Sequence, residues 1–181
     1  DLIILTGDTS TSAGLKRFKS LFPDKFLDVG ISEQNMIGIA AGLASEGTTV
    51  FTSTFAPFQT MRCCEQIKVN LGYMRNKVNM VGLASGVVLG TLGYTHCCIE
   101  DISIMRSIPN ITVISPADCF ETFKATLACV KHKESVYIRL TGGAKNPSVY
   151  KENYDFKIGE SVTLREGRDI TIIGTGTMVF E

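Results

Sequence analysis

The sequence predicts an α/β protein built on a mostly parallel sheet with helices on both faces. Three observations predict it. Residues 2–5 are a continuous apolar run, as in a strand buried on both faces, and the largely apolar runs at 78–83, 111–114 and 136–140 also read as strands. Segments of helical period separate these runs, so strand and helix alternate along most of the chain. Residues 26–29 end at Gly30 and pass through Ser32 and Glu33 into a stretch rich in Ala, Gly, Ile and Leu. That is how a buried strand hands over to a tightly packed helix.

Composition bounds the function. A chain of 181 residues is one domain, or one domain plus a fragment of another. At 44% hydrophobic and 20% charged residues it can bury a sizeable core, which argues against disorder. Its 18 basic and 18 acidic residues cancel and form no basic stripe, which disfavours nucleic acid and anionic membrane as partners. No apolar stretch reaches the length of a bilayer span. No signal peptide is expected, and an N-terminal Asp in place of Met reads as a trimmed start. The six cysteines include the adjacent pairs Cys63-Cys64 and Cys97-Cys98 and no CxxC, fitting neither a zinc motif nor a secreted disulfide framework. They read as reduced thiols in a cytoplasmic protein. His96-Cys97-Cys98 has no second ligand cluster to complete a metal site, so no metal ligand is assigned.

Taken in order, residues 2–5 form a buried strand that ends in Thr6-Gly7-Asp8. Asp8 to Ser12 make a polar shoulder, either a self-bonded turn or a ligand contact at the carboxyl end of a strand. Leu15, Phe18, Leu21 and Phe22 recur at helical spacing until Pro23 stops the helix. Residues 26–29 are expected as a buried strand. Ser32 is expected to cap the next helix, with Glu33 in its first turn, where an acid also suits the helix dipole. Residues 48–52 form a strand, and one helix opening at Phe55-Ala56-Pro57-Phe58 carries Met61, Ile67, Val69 and Leu71. Residues 85–94 are Gly-rich and apolar and are expected to lie against something. A short helix ends before Pro109, and residues 120–131 form a helix opened by Ser115-Pro116-Ala117-Asp118. The composition turns polar at residues 143–165, a linker between a first domain (1–142) and a further α/β unit cut short (166–181). The run DITIIGTG at 169–176 is expected as that unit's first strand. No GxGxxG, Walker loop or GxSxG elbow occurs; in GTGTMV, Val179 stands where a third glycine would.

Five motifs then fall in one order: GISEQNMIGIAAGLASEG from Gly30, STFAPF from Ser53, YTHCCIED from Tyr94, IPNITVISPAD from Ile108 and YIRL from Tyr137. With them the chain resembles the pyrimidine-binding domain of the transketolase family, whose enzymes use thiamine diphosphate. The resemblance implies that Glu33 hydrogen-bonds N1′ of the aminopyrimidine. The cofactor's own 4′-imine then removes the thiazolium C2 proton, giving an ylid that attacks a ketose carbonyl. Burial is expected to raise the Glu33 pKa enough for it to share the proton. Phe58 and Phe55 resemble the aromatic wall beside the pyrimidine, core filling being the plain alternative. Met61 stands where some members carry another aromatic.

The resemblance further implies that His96 is a catalytic contact near the reacting hydroxyls of the ketose. Arg139 and Ser12 would bind the sugar phosphate, Arg139 through its bidentate fork. Three positions depart from classical transketolases: Ala84 replaces a histidine, Leu92 an acidic residue and Cys97 a glutamine. Such departures are similar to those of deoxyxylulose-phosphate synthases and of split, two-subunit bacterial transketolases. The family holds diphosphate and Mg2+ on a separate domain through a GDG motif, whereas Gly7-Asp8-Thr9 lacks the second glycine. The expectation is therefore the pyrimidine half of an enzyme that transfers a two-carbon ketol unit between sugar phosphates. It would be completed by a diphosphate-binding domain or subunit in a homodimer or heterotetramer. The alternatives are a 1-deoxy-D-xylulose-5-phosphate synthase using pyruvate and, from another class, a non-catalytic α/β assembly module. The β subunit of 2-oxoacid dehydrogenases fits less well, because SEQN and TH are transketolase-like.

Overall fold

A computed structural model describes every residue except 143–145 and 151. Six strands, β1 (Leu2–Thr6), β2 (Phe26–Asp28), β3 (Thr49–Phe55), β4 (Val78–Leu83), β5 (Ile111–Ile114) and β6 (Ser135–Arg139), form one sheet. Every pairing is parallel, in the order β2-β1-β3-β4-β6-β5. The helices are α1 (Lys16–Leu21), α2 (Glu33–Ser45), α3 (Ala56–Gln59), α4 (Cys64–Gln66), α5 (Asp101–Arg106) and α6 (Cys119–Lys131).

Both faces of the sheet are covered, as the apolar strands require. On one face Met36, Ile37 and Ala40 of α2 join Ile67, Leu71 and Met105 against Leu5, Val50, Val78, Met80 and Tyr137. On the other, Cys129 of α6 packs on Val136 and Ile138. Tyr137 and its two neighbours on β6 thus serve opposite cores, as the strand period of two dictates. The N-terminus of α6 is closed by Asp118, which accepts from Glu121 N–H at 2.8 Å, while the Glu121 carboxylate accepts from Ala117 N–H.

Three expectations about these elements are corrected. Residues 26–29 do not form a buried strand: among the described residues β2 is an edge strand paired only with β1, and Leu27 and Asp28 are exposed. Helix α1 buries none of its residues. The strand expected at 48–52 continues to Phe55, because β4 runs alongside it as far as the Phe55–Leu83 pair. The single helix expected from Phe55 is broken into α3, a turn, α4 and a π-helical segment, Ile67–Tyr73. Thr60 Oγ1 donates back to Ala56 O at 2.7 Å at the break.

The run at 169–176 pairs with no strand among the described residues, and Ile170, Ile172 and Ile173 are exposed. A strand needs a neighbour to take its hydrogen bonds, and the described residues offer it none. Its end meets the domain, where Gly176 N–H donates to Ser115 O at 2.9 Å. In the expected linker, residues 143–145 and 151 lie outside the described residues. Val149, Tyr150 and Tyr154 are pinned to the start of α6: Tyr150 and Tyr154 hydroxyls both donate to Glu121 Oε1, and Val149 N–H donates to Asp118, its cap.

Candidate active site

Glu33 opens α2 on the helix face that continues through Met36, Ile37 and Ala40, and that periodicity is what buries it. The residue is 2% exposed. Gly7, at the tip of β1, makes room for it: a Cβ there would lie 3.2 Å from Glu33 Cγ and 3.3 Å from Gly30 O. Thr54 of β3 donates its hydroxyl to Glu33 Oε1 at 3.4 Å. The carboxylate therefore stands at the carboxyl ends of β1 and β3. The chain steps from β1 to β2 on one side, then to β3 on the other, so this is the switch point of the sheet, where open α/β folds bind ligands.

The approach to α2 is organised by backbone bonds. Asp28 Oδ1 accepts from the N–H groups of Asp8 (2.9 Å) and Gly30 (3.1 Å), tying the tips of β1 and β2 together. Gly30 lies at φ +71°, which favours glycine. Ser32 precedes α2 as expected, but it does not cap the helix with its side chain. Its hydroxyl donates to Val29 O at 2.8 Å instead.

Beside Glu33 lies an aromatic cluster. Phe55 and Phe58 pack edge to face at 6.2 Å between centroids, and His96 meets Phe55 at 6.0 Å and Phe58 at 5.3 Å. The structure thus brings together four of the six predicted site residues: Glu33, Phe55, Phe58 and His96. It adds one that the motifs did not indicate. Arg62 Nη1 donates to Glu33 Oε2 at 2.7 Å, and its Cζ lies 3.9 Å from the centroid of the Phe58 ring. Glu33 is thus a buried carboxylate with a cationic partner. Burial first, and the Glu33 carboxylate second, push the neighbouring Cys63 thiol up to about 12, with Arg62 pulling the other way.

A second polar network lies at the end of β6. Asp101, the buried first residue of α5, accepts at Oδ2 from both Tyr137 hydroxyl and Arg139 Nε, each at 2.9 Å. Arg139 is 14% exposed, so one edge of its fork is committed inside the protein. Gly86 and Cys98 form an antiparallel bridge beside Arg139, and Cys98 belongs to the loop that carries His96. Ser12 is exposed in the loop after β1. Its neighbour Thr9 is a structural tie, donating to Ser53 O at 2.9 Å. No group of three or more His, Cys, Asp or Glu able to hold a metal occurs among the described residues.

Residues 1–145 match the family described as transketolase, pyrimidine binding domain. The chain belongs to this family. SqwH, a subunit of a 6-deoxy-6-sulfo-D-fructose transketolase from Clostridium sp. (strain MSTE9), is 40% identical over 182 residues, covering 99% of this chain and 56% of the relative. One of the subunits of an apulose-4-phosphate transketolase from Phocaeicola vulgatus is 38% identical over 181 residues, covering 99% of this chain and 58% of the relative. A solved structure described as a split gene transketolase, inactive beta4 tetramer, superposes with a TM-score of 0.85 at 34% identity, covering 98% of this chain and 57% of that one. The chain spans rather more than half the length of these two curated relatives.

The residues of this pyrimidine domain fit the group its family implies. Glu33 offers an acceptor at the open end of the sheet, and a planar nitrogen cation, Arg62, already rests on both Glu33 and the Phe58 face. An aminopyrimidine asks for the same two contacts. Arg62 and Asp101 were the residues that sequence reasoning missed. Tyr137 and Arg139, two apart on one strand face, were a readable hint that a partner for both lies across the sheet. Arg62 carried no such hint, because its direction depends on the turn between α3 and α4.

Proposed function

We propose that this chain supplies the pyrimidine half of a thiamine diphosphate-dependent transketolase that moves a two-carbon ketol unit between sugar phosphates. The observation that carries the reading is the buried Glu33 at the switch point, with the Phe58 face beside it. When bound, the cofactor supplies a carbon nucleophile that the protein itself lacks. Glu33 holds a proton at ring nitrogen N1′, Phe58 supports the ring with Phe55 behind it, and His96 stands at the mouth to meet the ketose hydroxyls. Arg139 presents the uncommitted edge of its guanidinium to a phosphate, oriented by Asp101, and Ser12 adds a hydroxyl. Mg2+ and the diphosphate belong to a separate domain or subunit.

Two kinds of observation support a partner. Two relatives are named as transketolase subunits. The loops beyond the strands' carboxyl ends expose Ile31, Val87, Val88, Leu92, Tyr94 and Ile99, so the apolar stretch at 85–94, although anchored at Ser85 and Gly86, turns much of its apolar surface outward. We place the diphosphate-binding domain on that surface, within a homodimer or heterotetramer. The domain limits proposed are 1–142, a linker to 165, and the start of a further unit from 166. Six free cysteines support a reducing, cytoplasmic setting.

Copurification with this chain as bait, followed by a two-carbon transfer assay on the reconstituted pair, tests the proposal. Glu33→Gln is expected to leave the fold intact and lower turnover by about 10²–10⁴-fold, the range of an acid–base group. Unchanged turnover removes Glu33 from the mechanism. Activity that appears only with pyruvate points to the deoxyxylulose-phosphate synthase reaction instead.

A further inference from the structure

Arg62 is the residue at this site to which the proposed function gives no part. Its backbone is held on both sides: its N–H donates to Pro57 O at 3.2 Å, and its carbonyl accepts from Gln34 Nε2 at 3.1 Å. Only the side chain is left to move. The guanidinium makes two contacts at once, a charged hydrogen bond to Glu33 Oε2 at 2.7 Å and a stack on Phe58 at 3.9 Å. A nitrogen donor aimed at the carboxylate and a flat face laid on the phenyl ring are also what an aminopyrimidine protonated at N1′ presents. The two groups compete for the same contacts.

The arrangement has an electrostatic reason. Without a cofactor, Glu33 would be a buried carboxylate lacking a counter-charge, which is costly. Arg62 supplies that charge while remaining 39% exposed, so it can return to water by rotating its own side chain. We infer that Arg62 is a built-in stand-in for the aminopyrimidine. It neutralises Glu33 and covers Phe58 while the site is empty, and swings out when the cofactor enters. This rests on the reading of Glu33 and Phe58 as pyrimidine contacts. Cofactor affinity then includes the cost of separating Arg62 from Glu33. Removing the arginine therefore strengthens binding, even though it deletes a cation near a diphosphate ligand.

The test is isothermal titration of thiamine diphosphate with Mg2+ into the cofactor-free assembly of this chain and its diphosphate-binding partner. Arg62→Ala is expected to bind at least about five-fold more tightly than the parent, the scale of a partly exposed ion pair. Its cofactor-free form is expected to melt below the parent, with the gap closing at saturation because the pair is then broken in both. Equal or weaker binding by Arg62→Ala overturns the stand-in role. The double variant Arg62→Ala/Glu33→Gln, compared with Arg62→Ala, reads the Glu33–pyrimidine contact without the competitor and is expected to bind at least about ten-fold more weakly. If those two bind alike, the reading of Glu33 itself fails. If they differ as expected while Arg62→Ala does not tighten binding, only the stand-in role fails.

Discussion

Gly82→Ala tests whether the Tyr137–Asp101–Arg139 network depends on one missing methyl group. A Cβ at Gly82 would lie 2.3 Å from the Tyr137 hydroxyl oxygen, 2.6 Å from Cε2 and 2.8 Å from Cζ. No real Cβ tolerates such distances, and Tyr137 is fully buried, so its ring must move within a packed core. Gly82 is not at positive φ, so alanine meets no backbone strain and the cost is steric. Overpacking contributes about 1–3 kcal/mol. Losing the Tyr137 hydroxyl bond to the Asp101 carboxylate adds about 1.5–3 kcal/mol. Alanine returns about 0.5–1 kcal/mol by restricting the unfolded chain. The net expectation is about 3 kcal/mol, or roughly 6–12 °C in melting temperature for a chain of this size.

Urea unfolding followed by far-UV circular dichroism measures this directly. The Tyr137→Leu background isolates the contact: with the ring gone, Gly82→Ala should be nearly neutral. A cost below about 0.5 kcal/mol in the parent, or the same cost in both backgrounds, refutes the reasoning.

Two more outcomes follow from the titrating groups. Burial pushes Asp118 up, but hydrogen bonds from the N–H groups of Glu121, Val149 and Tyr150 and from the Ser148 hydroxyl outweigh it and hold the carboxyl below its usual range. Its stabilisation is therefore fully present above the unfolded value of about 3.9 and is lost as pH falls through the lower folded value. Asp118→Ala should cost about 1 kcal/mol through the cap alone at pH 7 and free the segment around Tyr150 for proteolysis. A difference from the parent that persists undiminished well below pH 3.9, in thermal melts, contradicts this. Iodoacetamide at pH 8 should label exposed Cys119 first in the native chain. Burial holds the Cys63 and Cys129 thiols up at about 12 and about 11, so peptide mapping should find these two modified only after unfolding. Early labelling of Cys63 would mean that the Phe58–Cys63 turn is open.

Local chemistry carried much of this fold into the sequence. Strands β4 and β5 lie where their apolar runs begin and end, and α2 starts at Glu33, as the change from strand to helical period requires. The motif order located Glu33, Phe55, Phe58 and His96, and the structure gathers them at one end of the sheet. Burial of β2 was misread because an apolar run does not state how many neighbours its strand will have. Only the sheet order places β2 at an edge. The partners of the charged residues were equally hidden. Arg62 and Glu33 are 29 residues apart, and Arg139 and Asp101 are 38 apart. Sequence periodicity decides which face of its own helix or strand a residue occupies. Which charge then waits across the gap is decided only when a turn, such as the one between α3 and α4, aims a side chain at a distant element. Both ion pairs here are products of packing, formed because a buried carboxylate must find a cation within reach.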